Sequence, residues 1–95
     1  MVEIISGRWY KLIDIQQIEE IERLIFDFKI PAAMDRFASL TEALILASET
    51  LDQVKLGEML LIIKEMDSAL TTKDYLLFND LLEYELKPFV EAKLS

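Results

Sequence analysis

The stretch YLLFNDLLEYELKPF, residues 75–89, decides how this chain is read. Large apolar residues recur in it three and four apart, the period of an α-helix rather than the alternation of a strand. Three carboxylates, Asp80, Glu83 and Glu85, interrupt the apolar run, and Pro88 stands where the helix should continue. At about 100° per residue the core stripe is Phe78, Leu81, Leu82, Phe89 and Ala92, with Glu85 near its middle. Asp80 and Glu83 fall on a polar face, where Glu83 has Lys87 four residues on, the favourable order for a helical ion pair. Pro88 has no N–H to offer the Tyr84 carbonyl and is expected to kink the helix.

The same period runs back through most of the chain. A first helix is expected from the cap Asp14 to about Lys29, its core face carrying Ile18, Ile21, Ile25 and Phe28, with Glu19, Glu20, Arg23 and Asp27 opposite. Glu19, Glu20 and Glu22 cluster there on a polar face and read as a solvated surface. Pro31 biases Ile30 away from helical backbone and suits the first turn of a second helix, expected to reach about Thr50. Its core face reads Ala33, Phe37, Leu40, Leu44, Ala47 and Leu51. Asp52 caps a third helix ending near Leu70, with Leu56, Met59, Ile63, Met66 and Leu70 inward and Gly57 a weak point. Thr71 to Asp74 has the spacing of a capping box and opens the fourth helix, which runs almost to Ser95. The expected fold is therefore all-α: an up-and-down bundle of about four helices in one domain. Residues 1–13, with β-branched and aromatic residues around Ser6-Gly7, read as a short irregular or extended N-terminal arm.

Composition narrows the function. The chain has 95 residues, 18 acidic and 10 basic, and a formal charge of −8. An acidic chain without a basic stripe disfavours nucleic acid and anionic membrane surfaces as partners. There is no cysteine, no basic and apolar leader, and no apolar run of about 20 residues, so a soluble cytoplasmic protein is expected. With neither histidine nor cysteine, the serines lack their usual base and zinc its usual ligands. Two isolated glycines build no phosphate loop, and no calcium-loop pattern occurs. No catalytic residue, metal or cofactor is expected.

Two features remain. The first is Glu85: a carboxylate on a core stripe must find a partner, protonate, or open to water. Arg36 is the candidate partner, with Arg8 and Arg23 as others, Tyr84 lies beside it, and Tyr10, Thr41 and Ser48 could donate hydrogen bonds. A structural polar contact is the plainer reading, and a functional acid in a polar pocket the sharper one. The second is an excess of apolar residues off the core faces: Leu76, Leu86, Val90 and Leu94 on the last helix, Leu46 on the second, Val54 and Leu61 on the third, and Ile15 and Phe26 on the first. So many point to a contiguous patch, either a homodimer interface or a groove for a partner's helix.

The run ALTTKDYLLFNDLLEYELKPFVE, residues 69–91, resembles a pattern in small acidic, all-helical bacterial proteins of uncharacterised function. The resemblance implies a helical fold and carries no activity or functional residues. In size and acidity the chain is also similar to helical-bundle flagellar export chaperones, an analogy at the level of fold alone. Together these readings give a non-catalytic cytoplasmic protein-interaction module, homodimeric and chaperone- or adaptor-like. The alternative is a small-molecule-binding protein or enzyme centred on Glu85.

Overall fold

The computed structural model describes residues 13–94, without the side chain of Leu94; the expected N-terminal arm lies outside them. Every regular element among the described residues is helical: α1 (Ile15–Phe26), α2 (Ile30–Ala47), a 3-10 turn (Ser48–Thr50), α3 (Gln53–Thr71) and a C-terminal helix of changing pitch. That last helix comprises α4 (Tyr75–Leu81), a π turn (Leu82–Leu86), α5 (Lys87–Phe89) and a second π turn (Val90–Leu94). The all-α bundle expected from the periodicity is the fold observed.

Local chemistry sets the helix starts. The Asp14 carboxylate accepts from the Gln16 N–H at 2.9 Å, while the Gln17 side chain accepts from the Asp14 N–H at 2.8 Å. These bonds satisfy donors that a helix start leaves open. Asp52 caps α3 through the Lys55 N–H at 2.9 Å. The cap of α4 is Asp74, which accepts from the Leu77 N–H at 3.1 Å. Thr71, expected to open that helix, instead belongs to the end of α3, its hydroxyl donating to the Asp67 carbonyl at 2.9 Å.

Two helix ends share one device. After α1, Lys29 N–H bonds the Leu24 carbonyl at 2.8 Å and Phe28 N–H the Ile25 carbonyl at 3.0 Å; after α3, Asp74 N–H bonds Ala69 at 2.8 Å and Lys73 N–H bonds Leu70 at 3.0 Å. Both are Schellman closures, which need a left-handed residue just past the helix and usually place glycine there. Here the positions are filled by Phe28 at φ 59° and Lys73 at φ 58°. The closure also corrects two expectations. The first helix ends at Phe26, not Lys29, and Ile30 begins α2 despite preceding Pro31. Phe28, expected in the core, lies outside the helix and is 81% exposed.

α1 packs on α2 and α3 packs on α4; the two pairs join where α1 meets α4 and the first π turn. Ile18, Ile21 and Ile25 meet Leu40 and Leu44, Met59 and Met66, and Phe78, Leu82 and Leu86 in one buried cluster. Phe37 sets its ring edge against Phe78, centroids 5.1 Å apart and planes at 84°, a favoured aromatic geometry. On α3 the buried side is Met59, Ile62, Met66 and Ala69, while Leu56, Ile63 and Leu70 are half-buried at its edge.

The largest correction lies in the opening stretch. Lys87 N–H bonds the Leu82 carbonyl, five residues back. A turn closed this way holds one residue more than an α turn and sets everything downstream back by one position, about 100°. Leu86 and Val90, expected on an outer face, are buried instead, and Glu85, expected in the core, is exposed. Ala92, also expected inward, is exposed. Pro88 gives the local reason: in an α turn its ring would crowd the Tyr84 carbonyl, and widening the turn ahead of it relieves that contact.

A candidate interaction cleft and the acid pair beneath it

The Glu85 site expected from the sequence does not assemble. Glu85 is exposed, Tyr84 is 70% exposed, and Arg36 is an exposed residue committed to Glu20. Thr41 and Ser48 spend their hydroxyls on the α2 carbonyls of Phe37 and Ile45. Tyr10 and Arg8 lie outside the described residues. Of the expected surface residues, Leu76, Leu46 and Leu61 are exposed, as are Val54 and Phe26, while Ile15 is half-buried. Leu86 and Val90 are core, and the side chain of Leu94 lies outside the described atoms.

Three of the exposed apolar residues, Phe26, Phe28 and Leu76, gather where the two Schellman closures come together. The end of α1 and the start of α4 bound a cleft of about 440 Å³, lined by Ile25, Phe26, Phe28, Lys73, Asp74, Tyr75, Leu76 and Asn79. Phe26, Phe28 and Leu76 are 79%, 81% and 77% exposed. Large apolar side chains held this far into water are the informative exception on a surface, above all when three share a concavity. Both left-handed residues line the same cleft. A bulky residue in that backbone region is strained, and such strain clusters at functional sites.

One turn further along the same two helices lies a polar seam. Glu22 of α1 comes within hydrogen-bonding reach of Glu83 on the π turn. Glu83 accepts from Lys87 Nζ at 3.0 Å, and the same ammonium reaches Glu19 Oε2 at 3.2 Å. Asn79 Nδ2 donates to the Glu22 backbone carbonyl at 3.1 Å. The ion pair between Glu83 and Lys87 is the one the spacing called for; its extension to α1 is not.

Burial raises the Glu22 carboxyl to about 7, and the neighbouring Glu83 adds to the shift through its hydrogen bond and its charge. Glu83 moves below the usual carboxylate range, mainly because Lys87 donates to it, with Glu22 a second donor. Lys87 moves above its ordinary range, chiefly through Glu83. Glu22 Oε2 is enclosed and has no partner when both acids are ionised. Two carboxylates offer each other no hydrogen, so the contact becomes a bond only when Glu22 carries a proton and donates it. The proton belongs on Glu22 because Lys87 holds Glu83 as the anion.

Sequence reasoning placed Glu22 among the wet acids with Glu19 and Glu20. The signal against that was present, since four residues at about 100° each put Glu22 only about 40° from the buried Ile18. Among the described residues no cluster of acids is arranged to hold a metal ion, and no helix is long and apolar enough to cross a membrane. Compared with known proteins, the chain matches no protein family, no curated protein and no solved structure.

Proposed function

We propose that this chain is a non-catalytic protein-interaction module of the cytoplasm, adaptor- or chaperone-like, which receives apolar side chains of a partner protein in the cleft between α1 and α4. The observation that carries the reading is the exposure of Phe26, Phe28 and Leu76 around one concavity. Aromatic and aliphatic anchors entering such a pocket supply most of the energy in protein interfaces, while a charged rim sets specificity and rate. Lys73 and Asp74 are the charged residues among those lining the cleft, and the formal charge of −8 biases the choice towards partners with a basic surround. The reading centred on Glu85 loses its premise, because that side chain is exposed and does not line the cleft.

The test is site-specific photocrosslinking in the native cell. A crosslinker at Leu76 should capture a discrete set of proteins that an exposed control position, Glu65, does not. Phe28→Asp should abolish that capture while leaving the helical fold intact. Identical capture at both positions would remove the cleft as the binding site. Capture of a second copy of this chain, matched by a dimer in light scattering, would identify the partner as itself.

A further inference from the structure

We propose that the Glu22 carboxyl is a proton-operated latch on the cleft: protonated, it bonds Glu83 and closes the seam between α1 and the C-terminal helix; ionised, it loosens that seam and changes the cleft above it. The inference adds regulation to the binding site proposed above and depends on that reading only for its consequence.

The geometry is a ladder of contacts between two helices. Phe26 stands one turn beyond Glu22 on α1, and Asn79 one turn before Glu83 on the other side. Phe26 and Asn79 line the cleft. Asn79 also holds the Glu22 backbone carbonyl at 3.1 Å, so one side chain belongs to the cleft and to the seam at once. Below it, Lys87 spans Glu83 and Glu19 at 3.0 and 3.2 Å. A movement at the Glu22 level therefore reaches the cleft through a direct hydrogen bond.

The charges decide which way the latch works. The groups facing Glu22 among the described residues are Glu19 on its own helix, Glu83 on the π turn and Lys87 beyond it. Arg36, on α2 packed against the same helix, is taken by Glu20. One ammonium thus serves three carboxylates. With a proton on Glu22, its O–H donates to the Glu83 carboxylate and the enclosed Glu22 carboxyl gains a partner. Without it, two carboxylates abut and Glu22 Oε2 is left enclosed with no donor. An unsatisfied enclosed anion draws in water or forces its neighbours apart. The protonated to ionised ratio falls tenfold per pH unit, so the change is confined to about two units around the titration midpoint.

The test needs no partner. In the intact chain, the side-chain carbon signal of Glu22 and the backbone amide signals of Phe26, Leu76 and Asn79 are followed by NMR from about pH 5 to about pH 9. The expected result is a shared transition near pH 7, with 1-anilinonaphthalene-8-sulfonate fluorescence rising on its alkaline side as apolar surface opens. Glu22→Gln, of the same shape but without a charge to gain, should remove the transition. Glu83→Gln should return the Glu22 midpoint towards the ordinary carboxylate range. A Glu22 carboxyl that titrates like a free glutamate overturns the proposal, and so do cleft amides that ignore its titration. If the latch titrates as described while crosslinking at Leu76 captures nothing, it is the binding reading that fails.

Discussion

Replacing Leu86 and Glu85 in turn by alanine tests the register on which every other contact of the last helix depends. In an unbroken α-helix, seven residues from the buried Phe78 bring Glu85 to within about 20° of the core axis and leave Leu86 about 80° away. The π turn reverses them, with Leu86 at 0% exposure and Glu85 in water. Leu86→Ala deletes a fully enclosed side chain, and its cost is expected at about 2–5 kcal/mol, transfer and cavity together. For a domain of this size each kcal/mol lowers Tm by about 4–8 °C, so a fall of at least about 8 °C is expected. Glu85→Ala removes an exposed side chain and should stay within about 0.5 kcal/mol of the parent. The assay is urea unfolding followed by far-UV circular dichroism at one pH, with the slope checked for constancy. If Glu85→Ala proves the costlier change, or Leu86→Ala is neutral, the π register is wrong, and with it the burial of Val90 and the reach of Lys87 to Glu19.

Other perturbations probe other levels of the fold. Gly57→Ala should stabilise by up to about 1 kcal/mol, since a Cβ there meets nothing within 4 Å; a lower urea midpoint would reveal a close approach on that face. Phe28→Gly should raise or preserve thermal stability although it deletes a whole ring, because it relieves left-handed backbone at φ 59° while removing little buried contact; a drop of several degrees would place the ring in a structural role. Stability should fall as pH rises from about 4.5 to about 7. There the folded chain keeps a proton on Glu22 that the unfolded chain gives up, its carboxyl being raised from 4.5 to about 7. Glu83, shifted below its ordinary value, acts in the opposite sense, its contribution present above that value and lost as acid protonates it. Urea midpoints at pH 5, 6, 7 and 8 measure the slope, and Glu22→Gln separates it from the general repulsion of an acidic chain by flattening only the Glu22 share.

Much of the architecture was legible because it rests on period and caps. Ile18, Ile21, Ile25, Leu40, Leu44, Met59, Met66, Phe78 and Leu82 are buried where a uniform helix puts them, and Asp14 and Asp52 cap as their positions imply. What a uniform rotation per residue cannot express is a change of pitch. Glu85, Leu86 and Val90 were therefore misplaced together, by one cause. The cleft was half legible: Leu76 and Phe26 stood off the core faces, but Phe28 looked like core until the Schellman closure turned it outward. That closure depends on backbone hydrogen bonds and a left-handed residue, and the usual sign, a glycine, is missing at Phe28 and at Lys73 alike.

The misplaced register and the missed acid pair have a common origin. In a straight helix Lys87 would lie nine residues and about 180° from Phe78, on the far side from the core. Set back by about 100°, it comes to about 80°, close to the 100° of Asn79, and Asn79 faces α1, donating to the Glu22 carbonyl. The one extra residue in the turn thus carries Leu86 inward and swings Lys87 towards Glu19. Lys87 then pins Glu83 as an anion beside Glu22. Glu85 drew attention because Pro88 stood near a carboxylate that a straight helix would bury. The proline matters, but its effect passes through the wide turn to Lys87 and Glu83. The charge that titrates near neutrality sits on the opposite helix, at Glu22.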